Sequence, residues 1–399
     1  MNVPKLRFKE FKDEWQSINL ATVFQYFATN SFSRDQLSES GILKNLHYGD
    51  IHRKYNSIVN ENDEITSYVK DINYNNKYEL LKNNDLIFAD ASEDYEGIGK
   101  AVEVVNVNDK TISGLHTILA RDNLNVFAPM FKGYYFNSSI VHNQLRVLAN
   151  GFKVYGISKD SINKLNIKVP STNEQSKIAN TLYLLDKKIE LQSKKIEDLK
   201  LFKLYTENSL LNSSSSIHWK KLKLNDILIE GNKEPVKNTN DFKKITIKLN
   251  LNGLEFNESK REMSDKRPFY IREENEIIIG KQNYFNGSIA IVTKEFSGCI
   301  CSNAIMSFKV KKGYNLKYIY LYLSQKRYMK EREFLANGTG QKELSEKEFL
   351  KFTIKVPEDS VVNNITNIID KINKKINFEN NKLNKLIELK KGLMQNMFV

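Results

Sequence analysis

At 399 residues the chain exceeds what one ordinary hydrophobic core supports, so two or more domains are expected. Its hydrophobic content of 40% is that of a folded protein rather than a disordered one, and no apolar run reaches the length that crosses a bilayer. Lys and Arg number 61 against 48 Asp and Glu, a formal charge of +13; that surplus fits either a polyanionic partner met through phosphate contacts or a generically lysine-rich protein.

In chain order, Met1 to Trp15 is charged and has no apolar centre, unlike a signal peptide, and a cytoplasmic location is expected. Residues 1–169 carry short mixed runs with many polar turns, Val102 to Val107 among them as a strand, and read as a first α/β (α+β) domain. Residues 170–212 form a helical spacer. After Pro170 the apolar positions Ile178, Leu182, Leu185, Ile189, Ile196 and Leu199 step alternately by four and three, the heptad spacing of a helix that packs on another helix. Ser213 to Ser216 reads as a flexible linker. Residues 217–356 again mix strands and helices, with Ile277 to Gly280 a strand and Leu316 to Leu335 a helix, and form a second domain of the same class. Cys299 and Cys301 lie in a strand-like run without the neighbours a zinc site needs, so they read as reduced, partly buried thiols. Residues 357–399 are a second helical spacer whose seam is Ile365, Ile369, Ile372, Ile376, Leu383 and Leu386.

The chain repeats itself. Leu148-Ala149-Asn150-Gly151 recurs as Leu335-Ala336-Asn337-Gly338, and Ile167-Lys168-Val169-Pro170 as Ile354-Lys355-Val356-Pro357, both at an offset of 187. Ser158 and Ser345, and Lys164 and Lys351, keep that register, which continues into the two seams. Nearer the start of each unit the offset drifts: Trp15 resembles Trp219, and Asp85-Leu86-Ile87-Phe88 resembles Glu276-Ile277-Ile278-Ile279. Each seam has one polar position, Gln192 and Glu379, and these correspond under the repeat. They either fix register at some cost in stability or face solvent at a bend. Two related helices in one chain can bury their seams against each other, so two long antiparallel coiled-coil helices with an internal pseudo-two-fold repeat are expected.

Three loops combine basic residues with amides or tyrosine: Arg53, Lys54 and Tyr55; Lys281, Gln282 and Asn283; and Gln341 with Lys342. Lys100 joins them as a further cation. Arg and Lys pair with guanine edges and phosphates, and Asn and Gln read adenine, so these nine are the candidate DNA-binding residues. Catalytic motifs are missing. The sequence has no Pro-Pro dipeptide of an amino-methyltransferase, no phosphate-cradling loop, and Gly97-Ile98-Gly99-Lys100 does not fit G-x-G-x-x-G. Its five histidines lack metal-ligand spacing, so neither a catalytic residue nor a metal site is expected.

The duplicated plan resembles the specificity subunits of Type I restriction–modification enzymes. The resemblance rests on Gly156-Ile157-Ser158, Ile167 to Pro170, Glu174-Gln175 and Leu185 to Ile189 in the first unit, with Asn337 to Ser345 and Ile354 to Pro357 in the second. Asp85 to Phe88 and Gly114-Leu115-His116-Thr117 are similar to family segments too, whereas Val361-Val362 stand where Glu-Gln is usual. The resemblance implies a non-catalytic subunit whose two domains each read half of a split double-stranded DNA target across a gap set by the helices. It implies two methyltransferase subunits carrying S-adenosylmethionine, and restriction–translocase subunits using ATP and Mg. The competing expectations are an enzyme with its own catalytic centre in a variable domain, and a coiled-coil scaffold.

Overall fold

A computed structural model gives the fold and describes residues 3–65, 67–70, 78–95, 97–149, 151, 154–212, 219–257, 267–335 and 343–399. The chain divides into two units: unit 1 is residues 1–195 with 379–399, and unit 2 is residues 196–378. The divisions fall inside the two long helices, Thr172–Leu211 and Asp359–Asn396, so each unit takes part of both.

Unit 1 is built on a five-stranded sheet in the order Phe24–Phe27, Thr117–Asp122, Leu86–Ala89, Ala101–Val105, Ile58–Asn60. All pairs are antiparallel except the last. Successive strand residues face opposite sides, and Leu86-Ile87-Phe88-Ala89 is apolar throughout because both faces are covered. Leu86 and Phe88 enter one core with Trp15 and the Phe131–Phe136 helix, while Ile87 and Ala89 enter another with Leu46, Ile51 and Tyr55. The strand expected at Val102 to Val107 is Ala101–Val105; Asn106 adopts a left-handed backbone and ends it.

Unit 2 repeats this with four antiparallel strands in the order Leu228–Glu230, Ile305–Val310, Ile277–Gly280, Ile289–Ile291. Its central strand is two-sided in the same way, with Ile277 and Ile279 in one core and Ile278 in the other. Cys299 and Cys301 are both buried, Cys301 in the strand Ile300–Ser302. The helix expected over Leu316 to Leu335 is broken into Leu316–Leu323, Lys326–Lys330 and a 3-10 turn at Glu333–Leu335. Gln325 is extended there (φ −64°, ψ 125°), and its side chain bonds to the carbonyl of Tyr322 at 3.1 Å.

The repeat is visible in single bonds. Ile167–Val169 pairs with Gln16–Ile18, and Thr353–Val356 with Lys220–Lys223, each antiparallel. The Tyr135 hydroxyl donates to the carbonyl of Lys168 at 2.8 Å, and that of Tyr318 to Lys355 at 2.7 Å. Ser158 and Ser345 each accept from the backbone N–H three residues on, at 3.2 Å, capping the next short helix.

Within unit 1 the long helices run antiparallel, joined by Asp186 to Lys390 at 2.5 Å and Gln192 to Glu379 at 2.8 Å. Met397 and Phe398 then enter the main core, Phe398 lying 5.5 Å from the Tyr135 ring. Within unit 2, Leu211 shares a core with Val362 and Ile365. Along the seams Ile178, Leu182, Leu185, Ile196, Ile365, Ile369 and Ile376 are buried, and Ile189, Leu199, Ile372, Leu383 and Leu386 are half-buried. At the polar position of each seam Glu379 is buried and Gln192 half-buried, and their side chains bond to each other.

The two helices start differently. Glu174, buried, takes a two-pronged pair from Arg7 at 2.8 Å, and buried Gln175 bonds to Pro170, Val126 and Ala128. At the matching positions Val361 and Val362 pack on the apolar core of unit 2. Replacing a buried charge pair with well-packed apolar groups is energetically neutral or better, so the departure from Glu-Gln leaves this helix intact.

Candidate nucleic-acid interface

In unit 2 the central strand ends at Gly280 and feeds Lys281, Gln282 and Asn283 into a turn. Fully buried Tyr284 anchors the turn, its hydroxyl donating to the carbonyl of Leu323 at 2.8 Å. The carbonyl of Lys281 accepts from Leu344 N–H at 2.9 Å, which brings the segment after residue 342 to the same edge. Gln282 and Asn283 are exposed, Lys281 half-buried. Together with Lys244, Arg267 and Ser288 they line a cleft of about 540 Å³. Amide and cationic donors on a concave edge suit phosphate oxygens and base edges alike.

A smaller cleft of about 210 Å³ shares Lys281 and adds Lys233, Arg272 and Glu346. Glu346 accepts from Lys233 at 2.5 Å and lies 3.6 Å from Lys281. Arg272, only 3% exposed, donates to Cys301 Sγ at 2.9 Å and to the carbonyl of Asn232 at 3.1 Å. Burial holds the Cys301 thiol above its ordinary range, so that sulfur is neutral and the Arg272 charge is not cancelled there.

Unit 1 places its candidates differently. The His47 imidazole accepts from Gly49 N–H at 3.1 Å and caps the helix Tyr48–Arg53. Arg53 and Lys54 are exposed, Lys54 bonding to the carbonyl of Glu64 at 2.6 Å. Tyr55 is not at the surface: it is 3% exposed, sits in an apolar core and gives its hydroxyl to Glu64 O at 3.0 Å. Lys100 is half-buried and donates to the carbonyls of His52 and Tyr55 at 3.2 and 2.7 Å. Burial pushes its ammonium pKa down, and it closes the end of that short helix. Tyr55 and Lys100 thus hold the loop that presents Arg53 and Lys54. Gln341 and Lys342 lie outside the described residues.

Other groups on these edges escaped the composition of single loops. Asp90 follows the central strand of unit 1 and lies 3.2 Å from His116 Nδ1. His116 packs edge-on to Tyr48 at 5.3 Å, and Arg34 pairs with Asp50 at 2.7 Å beside it. Alignment of Asp85 to Phe88 with Glu276 to Ile279 was the signal that could have found Asp90, since it sets Asp90 opposite Lys281. For Arg272, a buried strand-end arginine, the sequence carries no such signal.

Among the described residues no helix is long and apolar enough to cross a membrane. Residues 12–201 and 217–389 both match the family model described as Type I restriction modification DNA specificity domain. Among solved structures the chain is similar to the S subunit of the Type I restriction–modification system from M. genitalium, at 15% identity over 100% of this chain and 99% of that one, with a TM-score of 0.58. It is similar also to a chain solved for the structural basis of complex assembly and conformational transition of the type I R-M system, at 13% identity over 95% and 96%, with a TM-score of 0.53. No curated protein sequence matches. The two family matches fall on the two halves whose sheets, tyrosine bonds and serine caps repeat, and the chain belongs to the family of Type I restriction–modification DNA specificity subunits.

Proposed function

We propose that each unit reads one half of a bipartite DNA target, that the long helices set the gap between halves, and that the subunit itself does no chemistry. The observation that carries this is the duplicated sheet edge. The same strand end presents Lys281, Gln282 and Asn283 in unit 2 and Asp90 beside His116 in unit 1, one scaffold with two different chemistries. A +13 charge supplies the sequence-independent attraction to phosphate. A fixed spacer turns two weak half-site contacts into one strong one through effective concentration.

The partners follow from the same symmetry. Exposed apolar residues recur at repeat-equivalent positions, Leu191 with Phe378 and Phe202 with Leu389. Two equivalent faces of this kind suit two copies of one partner, the methyltransferase subunit, which brings S-adenosylmethionine. Restriction–translocase subunits bring ATP and Mg.

The test replaces residues 217–356 with the corresponding segment of another family member and maps methylated bases across a genome. A change in one half of the target supports the reading; a change in both halves, or in neither, refutes it.

A further inference from the structure

Two hydrogen bonds put Asp90 and Lys281 at the same place in the two units. Ile157 N–H donates to the carbonyl of Asp90 at 2.9 Å, and Leu344 N–H to that of Lys281 at 2.9 Å. Ile157 and Leu344 share the repeat offset of 187 and directly precede the capping serines Ser158 and Ser345. Asp90 follows the strand Leu86–Ala89, and Lys281 follows Ile277–Gly280. Sign of charge is inverted at this position. It is inverted again at the first residue of the capped helix, Lys159 in unit 1 and Glu346 in unit 2.

Neither side chain is spent in a core. The Asp90 side chain is 30% exposed, fixed by His116, whose own side chain is 52% exposed and whose backbone is left-handed (φ 53°). The Lys281 side chain is 20% exposed, within reach of Glu346 and open to both clefts of unit 2. A carboxylate repels phosphate, so on a DNA-reading edge it serves as an acceptor for a base amino group; an ammonium serves the acceptor edge of guanine.

We propose that the residue following the central strand sets base preference in each unit. Asp90 accepts from the exocyclic amino group of a cytosine or adenine in one half-site, and Lys281 donates to guanine O6 and N7 in the other. This rests on the reading above that both units engage DNA bases.

The test uses the full chain with its methyltransferase partner and a set of duplexes in which every target base pair is replaced in turn. The wild type comes first: if it has no base preference, the underlying reading fails whatever the variants do. Given a preference, Asp90→Ala should lose about ten-fold discrimination at one base pair of one half-site, and Lys281→Met the same at one base pair of the other. Melting temperature checks the fold, and Asp90→Asn, which keeps the side chain's shape, replaces Asp90→Ala if that variant unfolds. Unchanged discrimination at every base pair overturns the proposal. So does a Lys281→Met variant that weakens all duplexes alike while the salt slope falls by about one, the mark of a phosphate contact.

Discussion

Gln192 and Glu379, 187 residues apart and equivalent under the internal repeat, hydrogen-bond to each other: the Gln192 amide donates to the Glu379 carboxylate at 2.8 Å and to its backbone carbonyl at 3.0 Å. Both residues lie in unit 1, where the contact joins the two long helices across their antiparallel seam. Lys195, 2.9 Å from the same carboxylate, compensates the charge. A polar contact in an apolar seam holds register because every slipped pairing leaves it buried and unmatched.

Truncating one side of that contact should therefore cost more than removing both. Glu379→Ala takes the carboxylate from both Gln192 and Lys195, leaving the amide only the backbone carbonyl, and should lower stability by about 1–3 kcal/mol. The double variant Gln192→Leu with Glu379→Leu should melt at or above the wild type while admitting other registers. Thermal melting of the three proteins decides it; a double variant less stable than Glu379→Ala contradicts the argument.

The seam itself is tested by Ile369→Ala. Ile369 is 1% exposed, and truncation in a well-packed core costs about 2–5 kcal/mol. A chemical denaturation midpoint unchanged by this substitution would mean the seam is not a packed interface.

Tyr135→Phe and Tyr318→Phe probe the repeat in each unit. Each removes the hydroxyl bond to the equivalent lysine carbonyl, worth about 1 kcal/mol, and Tyr135→Phe also removes the bond that its hydroxyl accepts from the Lys168 N–H at 3.1 Å. Loss in only one unit, measured by hydrogen exchange at Lys168 and Lys355, would separate the copies.

His47 gives a pH dependence of known sign. Burial, then Arg34, lower its pKa, with His116 adding to the effect and Asp50 opposing it. The unfolded chain binds more protons in the window between the lowered value and the ordinary imidazole value near 6.5, so stability falls as pH falls through that window. Protonation also takes the Nδ1 lone pair that caps Gly49. His47→Asn, which retains a capping acceptor without titrating, should flatten the decline between about pH 7 and 5. A decline of the same steepness assigns it to another group.

The large plan was legible in the sequence because duplication and heptad spacing are one-dimensional signals. Ile277 to Gly280 and the seam positions from Ile178 to Leu386 could be placed by counting. The reading edges were legible only in part. Whether a residue such as Tyr55 or Lys100 faces a partner or closes a helix depends on which carbonyls the fold brings near it, here Glu64, His52 and Tyr55. Asp90 was hidden because its role is defined by a counterpart 191 positions away, where the repeat offset has drifted. The break at Gln325 was missed because the run from Leu316 is apolar on a helical period up to that point.

The most direct measurement is of target geometry. Seven residues inserted in both long helices, beside Gln192 and beside Glu379, preserve the heptad seam and add roughly 10 Å at 1.5 Å per residue. At about 3.4 Å per base pair, the nonspecific gap between the two half-sites should lengthen by about three base pairs, with both half-site sequences kept. Genome-wide mapping of methylated bases reads the gap directly. A gap that stays the same, with both half-sites still recognised, would contradict the helices' role as the ruler of the target.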